Sequence, residues 1–484
     1  MLCGQASSVV RGIRMRVVAA LVFIALMCGA LVVKVSAPQR GHFDLRDLGA
    51  LMRGVVEVRA DEFAPLAFTP PPPVAPAPPA ETQLTIVLAG DTGLNGSFQP
   101  VRAGFGIKQG MQIAWSEATP GVAGLIDGDI NFANLETVVT DRNDLTASLK
   151  RFGFRTHPDG VRHLLRLGFN VFSTANNHSM DYGLEGGRET LKHLDAIGVA
   201  HAGLGLSRSG ARGPRLVAAR GRLVAFGAVG IGGSGYGSLG DGEARPGQLT
   251  PGDMNEVAAA LAGSAADYKV MSVHYGTEFE VTTAESDRAR FGRALAAGAD
   301  MVVGHHQHVV AGVEMVDGKP VFYGLGNFLH WGTQDMSRHD LCHDYGLVAR
   351  VHLSGLPGEK LSVRAIEAVP VTGMHKAPRA MGVVDAGERV QAINYLARQF
   401  GANGVRFAVQ ADGTGLYCAA GAERLAGAVG ARCRVGVGSS EPEPALAERI
   451  RGACAKRVVR MVEDEAGEFE LLGFEDPVPG VTPQ

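Results

Sequence analysis

The chain has 484 residues, 46 of them basic and 49 acidic, for a net formal charge of −3. That length accommodates two or three domains or one large core, and the near-neutral balance offers no electrostatic case for nucleic acid, which would favour a clustered basic face. Glycine is abundant at 66 residues and aromatics make up only 6%, which suits an α/β protein with many tight strand-to-loop turns.

Arg11, Arg14 and Arg16 precede an apolar run over residues 17–33, followed by Lys34. A basic flank before such a stretch predicts a signal-anchor or signal peptide over residues 1–37, with the rest of the chain carried across the membrane. The run is 17 residues long, the short end of a spanning helix. Val35-Ser36-Ala37 resembles a cleavage site but Pro38 opposes cleavage, so both outcomes stay open. The expected placement is the cell membrane, crossed once, with the C-terminal part outside the cytoplasm. Residues 38–83 include Thr69-Pro70-Pro71-Pro72-Pro73, a polyproline-prone, semi-rigid linker.

From Leu84 onward short apolar strands alternate with helices. A strand over 84–89 ends at Gly90-Asp91, and one over 130–135 ends at Glu136. A helix over 161–167 leads to a strand over 170–174, then Asn176-Asn177-His178 and Asp181. A helix over 184–197 precedes strands over 223–229 and 270–273, the latter ending at His274. A helix over 287–297 is followed by a strand over 301–303, which runs into Gly304-His305-His306-Gln307-His308. The strand over 321–323 precedes Gly326-Asn327. This alternation predicts a layered α/β domain over 84–370. Further on, one or two strands over 345–368, a helix over 391–400, a hairpin around Asp412-Gly413 and a helix over 445–462 are expected, residues 371–484 forming a C-terminal extension. Cys418, Cys433 and Cys454 are spaced by 15 and 21 residues, which is no Cys-x-x-Cys metal pattern. In an oxidising compartment these three are expected to pair locally in a structural disulfide, with the connectivity open.

Ligand-capable residues follow nearly every strand and seldom lie inside one. In α/β folds such strand ends converge on one rim. Alone, Asp91 reads more readily as a turn residue or helix cap than as a ligand, and Asn134-Leu135-Glu136 is equally plain. Two amides, an imidazole and a carboxylate between Asn176 and Asp181 are costly to bury without partners. Three histidines within residues 305–308 are sharper still. His306 and His308, two apart in a segment expected to be extended, face the same side. Imidazole with carboxylate and amide oxygen suits Zn, Mn or Fe.

In this order the motifs resemble the CapA family of capsule and poly-gamma-glutamate synthesis proteins. The likeness runs from Leu84 to Phe328, through Asn134-Leu135-Glu136, Ala175-Asn176-Asn177-His178, His274-Tyr275-Gly276-Thr277-Glu278 and Gly304-His305-His306-Gln307-His308. It implies a calcineurin-type metallophosphoesterase-like domain, a four-layer α/β/β/α sandwich with two divalent ions. Asp91, Glu136, Asn177, His274, His306 and His308 would be their ligands. His178 would serve as acid or electrophile near the scissile group, with Asp181 orienting it. The calcineurin-type first motif is Asp-x-His, whereas Asp91-Thr92-Gly93 lacks the histidine; Tyr275, Gln307 and Gly324 stand where Trp, Pro and Ser are usual in the family. The resemblance further implies work on an anionic envelope polymer or its precursor, at the membrane and beside polymer synthase subunits, with no nucleic acid. Two roles fit: a metal-dependent hydrolase or transferase, or a non-catalytic accessory subunit of a synthase-exporter complex.

Overall fold

The structure, a computed structural model, describes residues 81–232, 238–436, 441–456 and 458, with the backbone of a hairpin at Met461–Glu463 and Phe469–Leu471. The expected membrane segment and almost all of the proline-rich linker lie outside the described residues. Among the described residues no helix is long and apolar enough to cross a membrane.

Among the described residues sixteen strands build two sheets. In chain order they are β1 (Thr82–Gly93), β2 (Ile130–Leu135), β3 (Val171–Ser173), β4 (Ala200–Ala202), β5 (Arg215–Ala219), β6 (Arg222–Gly230), β7 (Tyr268–His274) and β8 (Met301–His305). There follow β9 (Val313–Val316), β10 (Lys319–Phe322), β11 (Asn327–His330), β12 (Gly346–Gly355), β13 (Ser362–Thr372), β14 (Arg379–Ala380), β15 (Ala408–Val409) and β16 (Gly415–Cys418). The ten-stranded sheet runs β15-β16-β13-β12-β1-β2-β3-β4, with β11 paired to the end of β1 and β14 to β13; the six-stranded sheet runs β9-β10-β8-β7-β6-β5. Strands β15 and β16 thus join the first sheet through β13.

Period-two alternation of side chains between the two faces sets the layers. Along β1, Ile86 and Leu88 pack with Phe226, Val270 and Val303 of the other sheet. Val87 and Ala89 turn the other way, toward Val161 and Leu164 of α1 (Pro158–Arg166) and Leu194 of α2 (Gly183–Ile197). On the second sheet Ala225, Met271 and Val302 face outward, onto Val257 and Leu261 of α3 (Met254–Ala262) and Phe291 and Leu295 of α4 (Glu285–Ala297). The order is helices, sheet, sheet, helices.

The differences from expectation cluster near the C-terminus. The helix expected over 391–400 is α5 (Val383–Leu396), which starts earlier and gives way to a 3-10 turn over Ala397–Asn403. The helix expected over 445–462 ends sooner, as α6 (Pro444–Cys454). Cys418 and Cys433 pair locally, but Cys454 bonds Cys342 across 112 residues. Ile450 and Ala453 of α6 share an apolar cluster with Cys342, which carries Cys454 back to the sheet instead of to its sequence neighbours.

Candidate metal centre at the strand-end rim

Strand register brings the first residues together. Asp91 at the end of β1 stands opposite Asn134 on β2 and Asn327 on β11, and His274 on β7 stands opposite His305 on β8. The β1–β2 register slips between Ala89 and Asp91, and Asp91 N donates to the Gly326 carbonyl oxygen (3.0 Å). Only glycine fits at 90, because a Cβ there would lie 1.9 Å from that same oxygen. The polar residues that follow β1, β2, β3, β7 and β8 therefore meet at one end of the two sheets.

Asp91 is fully buried. Its Oδ1 accepts from Asn134 Nδ2 (2.9 Å) and its Oδ2 from the His306 amide (3.2 Å). His305 Nδ1 and His308 Nδ1 lie 3.2 and 3.3 Å from its two oxygens. Burial and the Glu136 charge oppose ionisation, but His305 and His308 outweigh them and hold Asp91 well below the usual carboxylate range. Glu136, one residue past β2, is equally buried. Its Oε1 is 3.4 Å from His274 Nε2 and its Oε2 3.2 Å from His330 Nε2. Against the effect of burial, the imidazoles of His308, His274 and His330 keep it ionised. Yet neither Glu136 oxygen has a hydrogen-bond donor, and His306 Nδ1 and His330 Nε2 are likewise buried without a partner. Buried carboxylates are otherwise satisfied. A carboxylate ringed by imidazoles is a donor set that suits a divalent cation.

Two groups of ligand atoms share Glu136: with His274 and His306, and with Asp91 and His308, all atoms of each group within 4.8 Å of one another. Burial and the neighbouring imidazoles push His306 well below the usual histidine range. His308 moves the other way, to about 9, because Glu136 and Asp91 outweigh its burial. Asn177 joins the first group through Oδ1, 2.8 Å from His274 Nε2. The segment carrying His306 and His308 is not the extended one expected. Strand β8 ends at His305, and His306 and His308 take φ values of 95° and 58°. The hydrogen bond that the His306 amide donates to Asp91 Oδ2 lies outside the strand ladder, and the left-handed turn brings both rings, 6.3 Å apart, to the carboxylates.

His178 borders the same rim. Its Nδ1 lies 2.6 Å from Asp181 Oδ2, and its Nε2 is 3.9 Å from Glu136 Oε1. Burial lowers its pKa against the pull of Asp181. Beside it opens a cavity of about 370 Å³, lined by His178, His308, Phe152, Phe154, Phe279 and Trp331 among others. Several residues of the centre lie outside the predicted set. Lys150 Nζ donates to Asp181 Oδ1 (2.5 Å) and to the Asn177 carbonyl (2.7 Å). Asn327 Oδ1 lies 2.9 Å from His308 Nδ1. Asn176 donates to Asn134 Oδ1 (3.2 Å) and the Leu135 carbonyl (2.9 Å). His330 ends β11, and the same strand-end rule that singled out His274 applies to it.

The sequence model of the family described as "Bacterial capsule synthesis protein PGA_cap" matches residues 85–331. A probable polyglutamine synthesis accessory protein of Mycobacterium tuberculosis is 34% identical over 209 residues, 41% of this chain and 55% of that protein. The PGA biosynthesis protein CapA of Bacillus subtilis is 32% identical over 201 residues, 40% of this chain and 52% of its own length. The chain spans about half the length of these relatives. Among solved structures, a putative 5′-nucleotidase from Staphylococcus aureus aligns over 60% of this chain and 54% of that one, at 15% identity and a TM-score of 0.34. The family match covers just over half of the chain and includes every ligand candidate from Asp91 to His308, so the chain belongs to the bacterial capsule synthesis family PGA_cap.

Proposed function

We propose that this rim binds two divalent cations, Mn, Zn or Fe, in a metallophosphoesterase-like sandwich, and that the chain serves the synthesis or export of poly-gamma-glutamate or a related anionic capsule polymer as a metal-dependent hydrolase or transferase. The observation that carries the reading is Glu136, buried with both oxygens lacking a donor among His274, His308 and His330. Glu136, Asn177, His274 and His306 would hold one cation, and Asp91, Glu136 and His308 the other. Cations held there would supply the acidity that activates a water and polarises a phosphoryl or acyl oxygen. The chain supplies the remaining chemistry. Asp181 fixes His178 through Nδ1, which leaves Nε2 to take or give a proton at the cavity floor. The aromatic walls at Phe152, Phe154, Phe279 and Trp331 give the bound group an apolar surround.

Envelope placement is part of the proposal. The apolar run at 17–33 and the proline-rich spacer support a tether, and two disulfides support folding in an oxidising compartment. A second reading, an accessory subunit without turnover, is supported by the M. tuberculosis relative's name and by Gly93 at the motif's histidine position. Complementation of a deletion strain separates the two, since full rescue by a His178→Ala/His306→Ala chain favours the accessory role. For the cations themselves, His306→Ala/His308→Ala should empty the purified full chain of metal and remove any activity, read by metal analysis after dialysis. Full metal occupancy in that variant overturns the reading.

A further inference from the structure

We propose that His330 is a ligand of the second cation, filling the place that glycine leaves open on β1. The inference rests on the two-cation reading above. Three observations converge on this imidazole.

The first is register. His330 on β11 pairs with Gly93 on β1, two residues past Asp91. A Cβ on Gly93 would meet His330 Cε1 and Nε2 at 3.7 Å, so a side chain at 93 and the ring of His330 point into the same space. The second is satisfaction. His330 has no exposed surface, and its Nε2 has no hydrogen-bond partner although it lies 3.2 Å from the equally orphaned Glu136 Oε2. The third is spacing. Metal bonds of about 2.0–2.2 Å place neighbouring ligands about 3.0–3.5 Å apart. The His330–Glu136 contact at 3.2 Å falls in that interval, as do His308–Asp91 at 3.3 Å and His274–Glu136 at 3.4 Å.

Counting donors gives the same answer. The first cation position has four residues: Glu136, Asn177, His274 and His306. The second has Asp91, Glu136 and His308, with His305 Nδ1 on the other oxygen of Asp91, and His330 would be its ligand from β11. The ring is held for this task between Phe154 and His308, with centroids 5.0 and 5.7 Å away. Ligation through Nε2 requires that nitrogen to be bare, so the imidazole proton moves to Nδ1 and the Gly332 amide now 3.1 Å from Nδ1 gives up its contact.

The test is Mn²⁺ binding to the purified full chain, by calorimetry and by metal analysis after dialysis, with unfolding in EDTA as the folding control. The wild type should hold two equivalents. His330→Phe should hold one, or bind the second at least a hundredfold more weakly. Moving the imidazole to the other strand in Gly93→His/His330→Ala should restore the second equivalent, which no merely structural role for His330 explains. Should His330→Phe fail to fold, the double variant carries the test by its metal count alone, and one equivalent or none in it overturns the inference. A loss of less than a hundredfold in folded His330→Phe also overturns it, and leaves His330 as an Nε2–H donor that steadies Glu136. One equivalent in the wild type, lost in His306→Ala but not in His330→Phe, overturns the inference and leaves the first position standing. No bound metal in the wild type removes the two-cation reading itself.

Discussion

Lys150 Nζ contacts both Asp181 Oδ1 (2.5 Å) and the Asn177 carbonyl oxygen (2.7 Å), so one ammonium fixes the carboxylate behind His178 and the backbone of a candidate ligand. The Asp181 side chain is fully buried and that of Lys150 is 15% exposed. Removing one partner of a buried pair strands the other charge and costs about 3–5 kcal/mol. Lys150→Met should therefore lower the unfolding free energy by about 3 kcal/mol, the low end because some solvent reaches the ammonium. Adding Asp181→Asn should return part of the loss, since the two changes share one interaction. Chemical denaturation of the three chains checks this, and a cost under about 1 kcal/mol would mean that water already screens the pair. Nothing in Ser148-Leu149-Lys150-Arg151 announces such a role. The partners lie 27 and 31 residues away, and only the fold brings them together. His330 is different, because Asn327-Phe328-Leu329-His330 is a short apolar strand ending in an imidazole, legible by the rule that found His274. Asp91, Glu136, Asn177, His274, His306 and His308 were legible because each stands at or just past the end of an apolar strand, where loops from both sheets meet.

Between elements, the clearest polar joint ties β9 to α4. Glu314 on β9 accepts from Arg288 Nη2 (2.7 Å) and from the Tyr323 hydroxyl (2.7 Å) and is buried. Burial alone would raise its pKa. The Arg288 guanidinium and the Tyr323 hydroxyl outweigh burial and hold the carboxyl below its ordinary 4.5. A depressed carboxyl contributes stability above its unfolded pKa and loses it as the pH falls through the folded value. Wild type should thus exceed Glu314→Gln by about 2 kcal/mol at neutral pH, as hydrogen bonds to charged groups do. That difference should shrink as the pH falls below 4.5. Thermal unfolding of both chains from pH 7 to pH 3 decides it, and a gap independent of pH would show that folding leaves the pKa of this carboxyl unshifted. At this scale the long strands were readable from their apolar runs, because both faces of each sheet are covered and period two gives way to continuous burial. Helix α5 was read as starting at 391 because Val383 and Val384 in its first turn are 55% and 76% exposed, which hides its amphipathic pattern. The 3-10 turn that follows extended the apparent helix at its other end.

Among the described residues two cross-links tie distant parts of the chain, and they close loops of very different size. Cys418–Cys433 spans 15 residues between β16 and the helix Gly427–Val435, whereas Cys342–Cys454 spans 112 and encloses β12 to β16 with α5. In the chain-entropy account a 15-residue loop contributes about 3 kcal/mol and a 100-residue loop about 4.7 kcal/mol. Cys454→Ser should therefore destabilise the oxidised protein more than Cys433→Ser, by about 1–2 kcal/mol. Cys342→Ser should match Cys454→Ser closely, although Cys342 has no exposed surface and its new hydroxyl adds the burden of an unpaired polar group. The order also tests where the stability resides, because Ile450 and Ala453 reach the main apolar cluster only through the helix that Cys454 ends. If packing alone held that helix, breaking the long link would cost no more than breaking the short one. Denaturant titrations of the three variants, each with and without reductant, separate these cases. In full reductant the wild type should fall to or below the less stable single variant, since both loops are then open. A wild type unaffected by reductant would instead make the folded core self-sufficient. It would also withdraw the support that the disulfides lend to an oxidising compartment.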